Sequence, residues 1–153
     1  NKAFPFGWAV AKAAFKDSVM YIGTSDDMVL LAVNPETGVP KWRAPVKFNI
    51  FGSCVFSKQM CYAGTLMGKF FGIDIITGKI SWTCTNEENT LNKSKYFTEE
   101  DTYRPDIGAI LGNDGNGSIR LYYDVGAIFS TPYISNDHII LTSTNGKIYC
   151  LKK

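Results

Sequence analysis

The chain has 153 residues, 45% of them apolar and 20% charged, one domain's length with enough apolar side chains for a core and too few charges for a disordered tail. Sixteen Lys and Arg stand against fourteen Asp and Glu, a formal charge of +2 with both signs scattered, so no basic run follows a phosphate backbone and nucleic acid is not expected as a partner. No apolar stretch approaches the roughly 20 residues of a membrane-spanning helix, and the start, Asn1-Lys2-Ala3-Phe4-Pro5, has neither an initiator Met nor a signal-peptide core, so the chain reads as cut from a longer one.

From the N-terminus, apolar runs at 19–22 and 29–33 are separated by the polar Thr24-Ser25-Asp26-Asp27, the pattern of a β-hairpin. Asp26 and Asp27 fall at its tip, where solvated carboxylates are the ordinary finding. The phrase Thr37-Gly38-x-x-x-Trp42 follows and returns as Thr77-Gly78-x-x-x-Trp82. Gly38 and Gly78 are 40 residues apart, as are Trp42 and Trp82, while Tyr21 and Tyr62 are 41 apart. Runs at 69–73 and 147–151 repeat the second strand of the hairpin, each after a turn carrying Gly, Met67-Gly68 and Asn145-Gly146, as tight turns with positive φ require. A third copy of the repeat lies over the second with Leu141 on Tyr62, Thr144 on Thr65 and Gly146 near Gly68.

A repeat of about forty residues, built from about four short strands, with Gly in its turns and one Trp near its end, is the period of a β-propeller blade. The expected fold is all-β: a partial propeller of about three four-stranded antiparallel blades, with units at about 8–45, 46–85 and 124–153. The Trp is large enough to seal the gap between neighbouring blades. Between the second and third units, residues 83–124 depart from the pattern as a long polar insertion with possible short elements at 107–111 and 118–123. Long irregular connections are disproportionately functional. Tyr96, Phe97, Tyr103, Tyr122 and Tyr123 cluster there, either as partner-binding anchors or as the insertion's own small core.

Other candidates for chemistry are weaker. Cys54, Cys61, Cys84 and Cys150 show no C-x-x-C spacing and no accompanying His, so no zinc site is expected. They read as free thiols, three of them packed in apolar strands, with a Cys54 to Cys61 bridge left open; that bridge would indicate an oxidising compartment. Asn113-Asp114-Gly115-Asn116-Gly117-Ser118 faintly follows a calcium loop but has no distal acidic ligand, and an Asx and Gly turn accounts for it. His138, the only histidine, begins an apolar strand with no Cys or Ser at a telling spacing.

The segments Ala32-Val33-Asn34-Pro35-Glu36-Thr37-Gly38 leading to Trp42, and Gly72-Ile73-Asp74-Ile75-Ile76-Thr77-Gly78-Lys79 leading to Trp82, resemble the A-x-D-x-x-T-G-K-x-x-W repeat of the pyrroloquinoline-quinone-like (PQQ-like) β-propellers. The first copy replaces the Asp by Asn34 and the Lys by Val39. The resemblance implies that Thr37, Gly38, Trp42, Asp74, Thr77, Gly78 and Trp82 are structural, each Trp docking on the next blade; the missing third T-G-x-x-x-W fits ring closure, in which a strand from earlier in the chain completes the last blade, and makes the chain the expected C-terminal part of a larger protein. The family's enzymes hold a quinone, a calcium ion, a catalytic Asp and usually a disulfide between adjacent cysteines. This chain has no adjacent cysteines and too few blades to enclose a cofactor, so neither quinone nor calcium is expected and no catalytic residue is assigned. The expected function is non-enzymatic: a binding or scaffolding module that presents its loops and insertion to a protein, peptide or glycan, alone, as a homodimer, or with further blades of a parent chain. The alternative is the cofactor domain of a quinoprotein dehydrogenase. Resemblance alone leans towards a periplasmic or other extracytoplasmic location.

Overall fold

The computed structural model describes residues 9–113 and 115–153. In chain order, β1 (Ala14–Lys16), β2 (Val19–Gly23), β3 (Val29–Val33) and β4 (Pro40–Pro45) form one antiparallel sheet. β5 (Val55–Ser57), β6 (Met60–Gly64), β7 (Lys69–Asp74) and β8 (Ile80–Thr85) form a second of the same order, with a β-bulge at the same place in its outermost pair. Three helices follow, α1 (Glu87–Tyr96), α2 (Ile107–Leu111) and α3 (Asn116–Asp124). β9 (Tyr133–Ile134), β10 (His138–Thr142) and β11 (Ile148–Lys152) make the third sheet. The fold is the expected partial propeller, with one difference: the third blade has three strands among the described residues, not four.

Alternation along the strands decides which blade meets which. Leu30 and Ala32 of β3 face blade two, burying themselves against Cys61, Ala63, Phe71 and Ile73, while Val29, Leu31 and Val33 form a separate cluster on the opposite face. On the other side of blade two, Phe70 and Tyr62 pack on Ile139, Leu141, Tyr149 and Leu151 of blade three. The crossing from each blade to the next repeats: Thr24 O accepts from Ile50 N at 3.1 Å, and Thr65 O accepts from Ile128 N at 3.1 Å. Gly23 and Gly64 make room for this, because a Cβ on either would stand 2.4 Å from the side chain of Ile50 or Ile128.

The backbone bonds correct the alignment of the third repeat by one residue. Gly68 N bonds Thr65 O and Gly146 N bonds Ser143 O, and Ile75 N bonds Gln59 O where Lys153 N bonds Asp137 O. Ser143 therefore matches Thr65, and Ile140, not Leu141, matches Tyr62. A gap-free alignment of the two hairpins gives this register.

The insertion is helical where it reads as polar loop. α2 and α3 fall on the two short elements expected there, but α1 is an additional ten-residue helix. Asn86 caps it: its Oδ1 accepts from Asn89 N at 2.8 Å, Glu87 and Glu88 occupy the first turn, and Lys93 and Lys95 the last, as the helix dipole favours. The three helices fold over the loop ends of blades one and two, burying Tyr96, Phe97, Leu121 and Val125 against Phe48, Leu66 and Met67.

The cysteines are free among the described residues, and two differ from expectation. Cys54 is buried just ahead of β5, not within a strand, and Cys150 is exposed, because nothing described lies on the outer side of β11.

Candidate functional site

The T-G turns are built alike. In blade two, Asp74 Oδ1 accepts from Ile76 N, Thr77 N and Thr77 Oγ1 at 3.0, 2.8 and 2.9 Å, which holds its carboxyl below the ordinary range, chiefly through the Thr77 backbone and hydroxyl. Asn34 replaces two of those bonds in blade one, accepting from Glu36 N and Thr37 N, so the loss of the charge leaves the turn intact. Gly38 and Gly78 adopt φ of 71° and 72°. Trp42 lies across the next blade's turn: its indole Nε1 donates to Ile75 O at 2.9 Å, and a Cβ on Gly78 would stand 2.7 Å from its ring. Trp82 packs edge-on to Phe70 and over Gly72, remains 38% exposed, and has no acceptor for its N–H among the described residues. These residues set the spacing of the blades and carry no reactive group.

A cleft of about 550 Å³ opens where blade one meets the insertion. Its walls are the Asp27-Met28 turn, the segment Pro45 to Phe48 after β4, and the turn Glu100 to Tyr103 between α1 and α2. Met28, Pro45, Phe48 and Tyr103 make it mainly apolar, with Asp27, Lys47 and Glu100 at its rim. Tyr103 is held from two sides: it stacks on Phe97 with ring centres 5.2 Å apart and takes the edge of Phe48 at 5.5 Å. It is still 40% exposed, and its phenol is pushed up to about 12, first by burial and then by Tyr122. Asp27 pairs with Arg43 at 2.8 Å, and Lys47 Nζ donates to Glu100 O at 3.2 Å.

The turn carrying Tyr103 is pinned by Asp101. Its carboxylate takes Lys69 Nζ of β7 at 2.5 Å on Oδ2 and faces Lys93 Nζ of α1 at 2.7 Å on Oδ1, the latter an ion pair without hydrogen-bond alignment. Burial alone would raise this carboxyl, yet the two ammonium groups hold it below its ordinary value. Met28, Lys47 and Asp101 have φ of 53°, 62° and 64°. Left-handed backbone at three non-glycine residues is strain of order 1–2 kcal/mol each, held by the surrounding structure, and such strain concentrates at functional sites.

The five aromatics chosen from the sequence separate. Tyr96 and Phe97 are 4% and 2% exposed and sit in the insertion's core, the second of the two readings open to them, and not at a surface where they could anchor a partner; Tyr96 donates to Asp124 Oδ2 at 2.7 Å. Tyr122 is half-buried beside Phe129, Tyr123 is exposed on α3, and Tyr103 alone of the five lines the cleft. Met28, Lys47 and Phe48 escaped sequence reading. Met28 had one available signal, since it stands directly ahead of its strand where Gly68 and the turn of Gly146 supply glycine in the other blades.

His138 opens β10 opposite Lys152, and Asn116 to Ser118 belong to α3, with Asp114 outside the described residues. Among the described residues no three His, Cys, Asp or Glu side chains stand together as a metal site, and no helix is long and apolar enough to cross a membrane.

No curated protein matches the chain. Solved structures do. Quinohemoprotein alcohol dehydrogenase from Pseudomonas putida HK5 matches 99% of the chain with a TM-score of 0.65 at 16% identity, the match spanning 20% of that enzyme. BamB from Moraxella catarrhalis matches 95% with a TM-score of 0.51 at 15% identity over 47% of its own length. The computationally designed protein Ika4 matches 92% with a TM-score of 0.55 at 15% identity over 63% of its length. At such identities the likeness is one of fold, and the chain spans less than two thirds of each of these proteins. Residues 2–153 match the family model described as outer membrane protein assembly factor BamB, and with its repeats and its propeller fold the chain belongs to that PQQ-like β-propeller family.

Proposed function

We propose that the chain is a non-enzymatic binding module whose cleft between blade one and the insertion receives an apolar side chain of a protein or peptide partner outside the cytoplasm. The observation that carries this reading is Tyr103, fixed by Phe97 and Phe48 yet still open to solvent at the wall of an apolar cleft. Rigid, partly exposed aromatics beside apolar pockets supply binding energy at low entropic cost. The acidic and basic rim groups orient an extended segment and favour a peptide over a glycan, because a glycan would need a denser array of hydrogen-bonding side chains than Thr102 and the rim provide. The family's description as an outer membrane assembly factor supports the location.

The test is selection of extended peptides from a random displayed library on the whole chain, followed by affinity measurement on wild type and Tyr103→Ala. Enriched peptides should share an apolar anchor and lose at least about tenfold in affinity on Tyr103→Ala, roughly the 1.4 kcal/mol of one modest hot spot. Enriched peptides indifferent to Tyr103→Ala would overturn the site. The alternative, a quinoprotein cofactor domain working without a peptide, rests on fold likeness alone, and a rise in melting temperature with calcium and the quinone together would favour it.

A further inference from the structure

The four cysteines divide by place in the fold. Cys84, opposite Phe70 in the β7–β8 ladder, lies on the face of blade two that packs on blade three, and Cys150 is exposed on β11. Cys54 and Cys61 share the other face of blade two. Phe56 is the direct partner of Cys61 in the β5–β6 ladder, and Cys54 stands two residues before Phe56, so strand alternation puts the Cys54 side chain diagonally beside that of Cys61. Both belong to the core between blades one and two, 5% and 0% exposed. Their thiols meet there: the Cys61 thiol shares a hydrogen bond with that of Cys54, and this bond, followed by burial, pushes the Cys61 thiol well above its ordinary value.

Blade one closes over the pair. Tyr21, 2% exposed, takes the edge of Phe56 at 4.9 Å and meets Trp42 at 5.7 Å, and its phenol is raised first by burial and then by Cys61, Asp17 and Cys54, which sets both sulfurs in its neighbourhood. β5 has only three residues, all half-buried, at the edge of its sheet, and Cys54 lies ahead of it, outside the ladder. No strand partner therefore fixes the direction of the Cys54 side chain, and a bond to Cys61 needs little adjustment of the sheet.

We propose that Cys54 and Cys61 form a disulfide that staples the first hairpin of blade two beneath blade one. The step is thiol–disulfide exchange, with a small-molecule or protein disulfide as oxidant. The Cys54 thiolate attacks one sulfur of that disulfide, whose other sulfur leaves and takes up a proton; the Cys61 thiolate then attacks the Cys54 sulfur of the mixed disulfide and releases the second thiol. Two protein thiols give up two electrons and two protons, and the oxidant's disulfide takes them as two thiols. Burial slows this attack in the finished fold, so the bond forms before blade one closes over the hairpin. The supply of oxidant rests on the extracytoplasmic location proposed above. The pairing does not rest on it, and neither sulfur lines the cleft.

The experiment equilibrates the whole chain, carrying Cys84→Ser and Cys150→Ser, in glutathione redox buffers with and without urea, and counts free thiols by alkylation after acid quenching. At the same glutathione ratio the folded chain should hold a disulfide-to-thiol ratio at least about tenfold above that of the unfolded chain. By linkage, the oxidised chain should unfold at a higher urea concentration than the reduced one. Non-reducing digestion of the oxidised wild-type chain should yield one bond, joining the peptides of Cys54 and Cys61; if the double variant folds poorly, this digestion across the same buffers supplies the ratio. A folded chain that holds the bond no better than the unfolded one, a bond that joins other cysteines, or an oxidised chain less stable than the reduced one would each overturn the proposal. All readings are taken without peptide, so their failure leaves the cleft standing, and peptides indifferent to Tyr103→Ala leave the bond standing.

Discussion

Trp42 joins two blades by two kinds of contact. Its ring covers Gly78 and meets Tyr21 at 5.7 Å, while its N–H ends on Ile75 O of the next blade. Trp42→Ala should cost about 3–5 kcal/mol by leaving a cavity between blades, and Trp42→Phe should retain much of the packing while losing about 1 kcal/mol for the missing donor. Urea unfolding distinguishes the two, and a Trp42→Phe variant as stable as wild type would mean that the hydrogen bond contributes nothing. Asp101 gives a pH-dependent counterpart. Its carboxyl is held below the ordinary 3.8 by Lys69 and Lys93 despite burial, so its contribution is fully present above the unfolded-state value and is lost as pH falls through the lower folded-state value. Asp101→Asn should therefore be less stable than wild type near neutrality, and the gap should narrow on acidification below about pH 4. A gap independent of pH would show that the ion pairs are not the cause.

At the scale of elements, the insertion is attached by its first helix. Asn86 caps α1 and also donates through Nδ2 to Gly126 O at 2.7 Å, and Asn89 Nδ2 donates to Met67 O at 2.7 Å. Asn86→Ala should cost about 1–2 kcal/mol, and more where the freed Gly126 carbonyl stays dry. Hydrogen exchange should show the loss concentrated in α1 and the turn to β9; protection falling evenly over blade one would count against a local role. The strands were legible in the sequence because short apolar runs are separated by polar turns, and the T-G turns because glycine is required there by positive φ. α1 was not, for a physical reason: its buried residues are Asn89 and Tyr96, while Leu91 is 70% exposed, so it shows no apolar stripe at helical spacing. Only its cap and end charges announced it. The cleft was half legible, since Tyr103 stood out as an aromatic on an irregular segment, but Phe48 and Lys47 reach it only through chain reversals that no local pattern records.

At the scale of the whole molecule, two full blades and one three-stranded blade form an arc, with the helical insertion across the loop ends of blades one and two. The insertion leaves the repeat at Asn86 and returns at Gly126, and these two residues touch: Asn86 N bonds Gly68 O while its side chain holds Gly126 O. Gly68 allows the approach, for a Cβ there would lie 2.2 Å from Val125 O. The chain thus goes out and comes back through one doorway. A detour of that kind leaves the distance between its ends fixed whatever its length, so the helices could be shortened, lengthened or exchanged for another peptide without changing the angle between blades two and three. The helical insertion and the blades that carry it are then free to change at different rates.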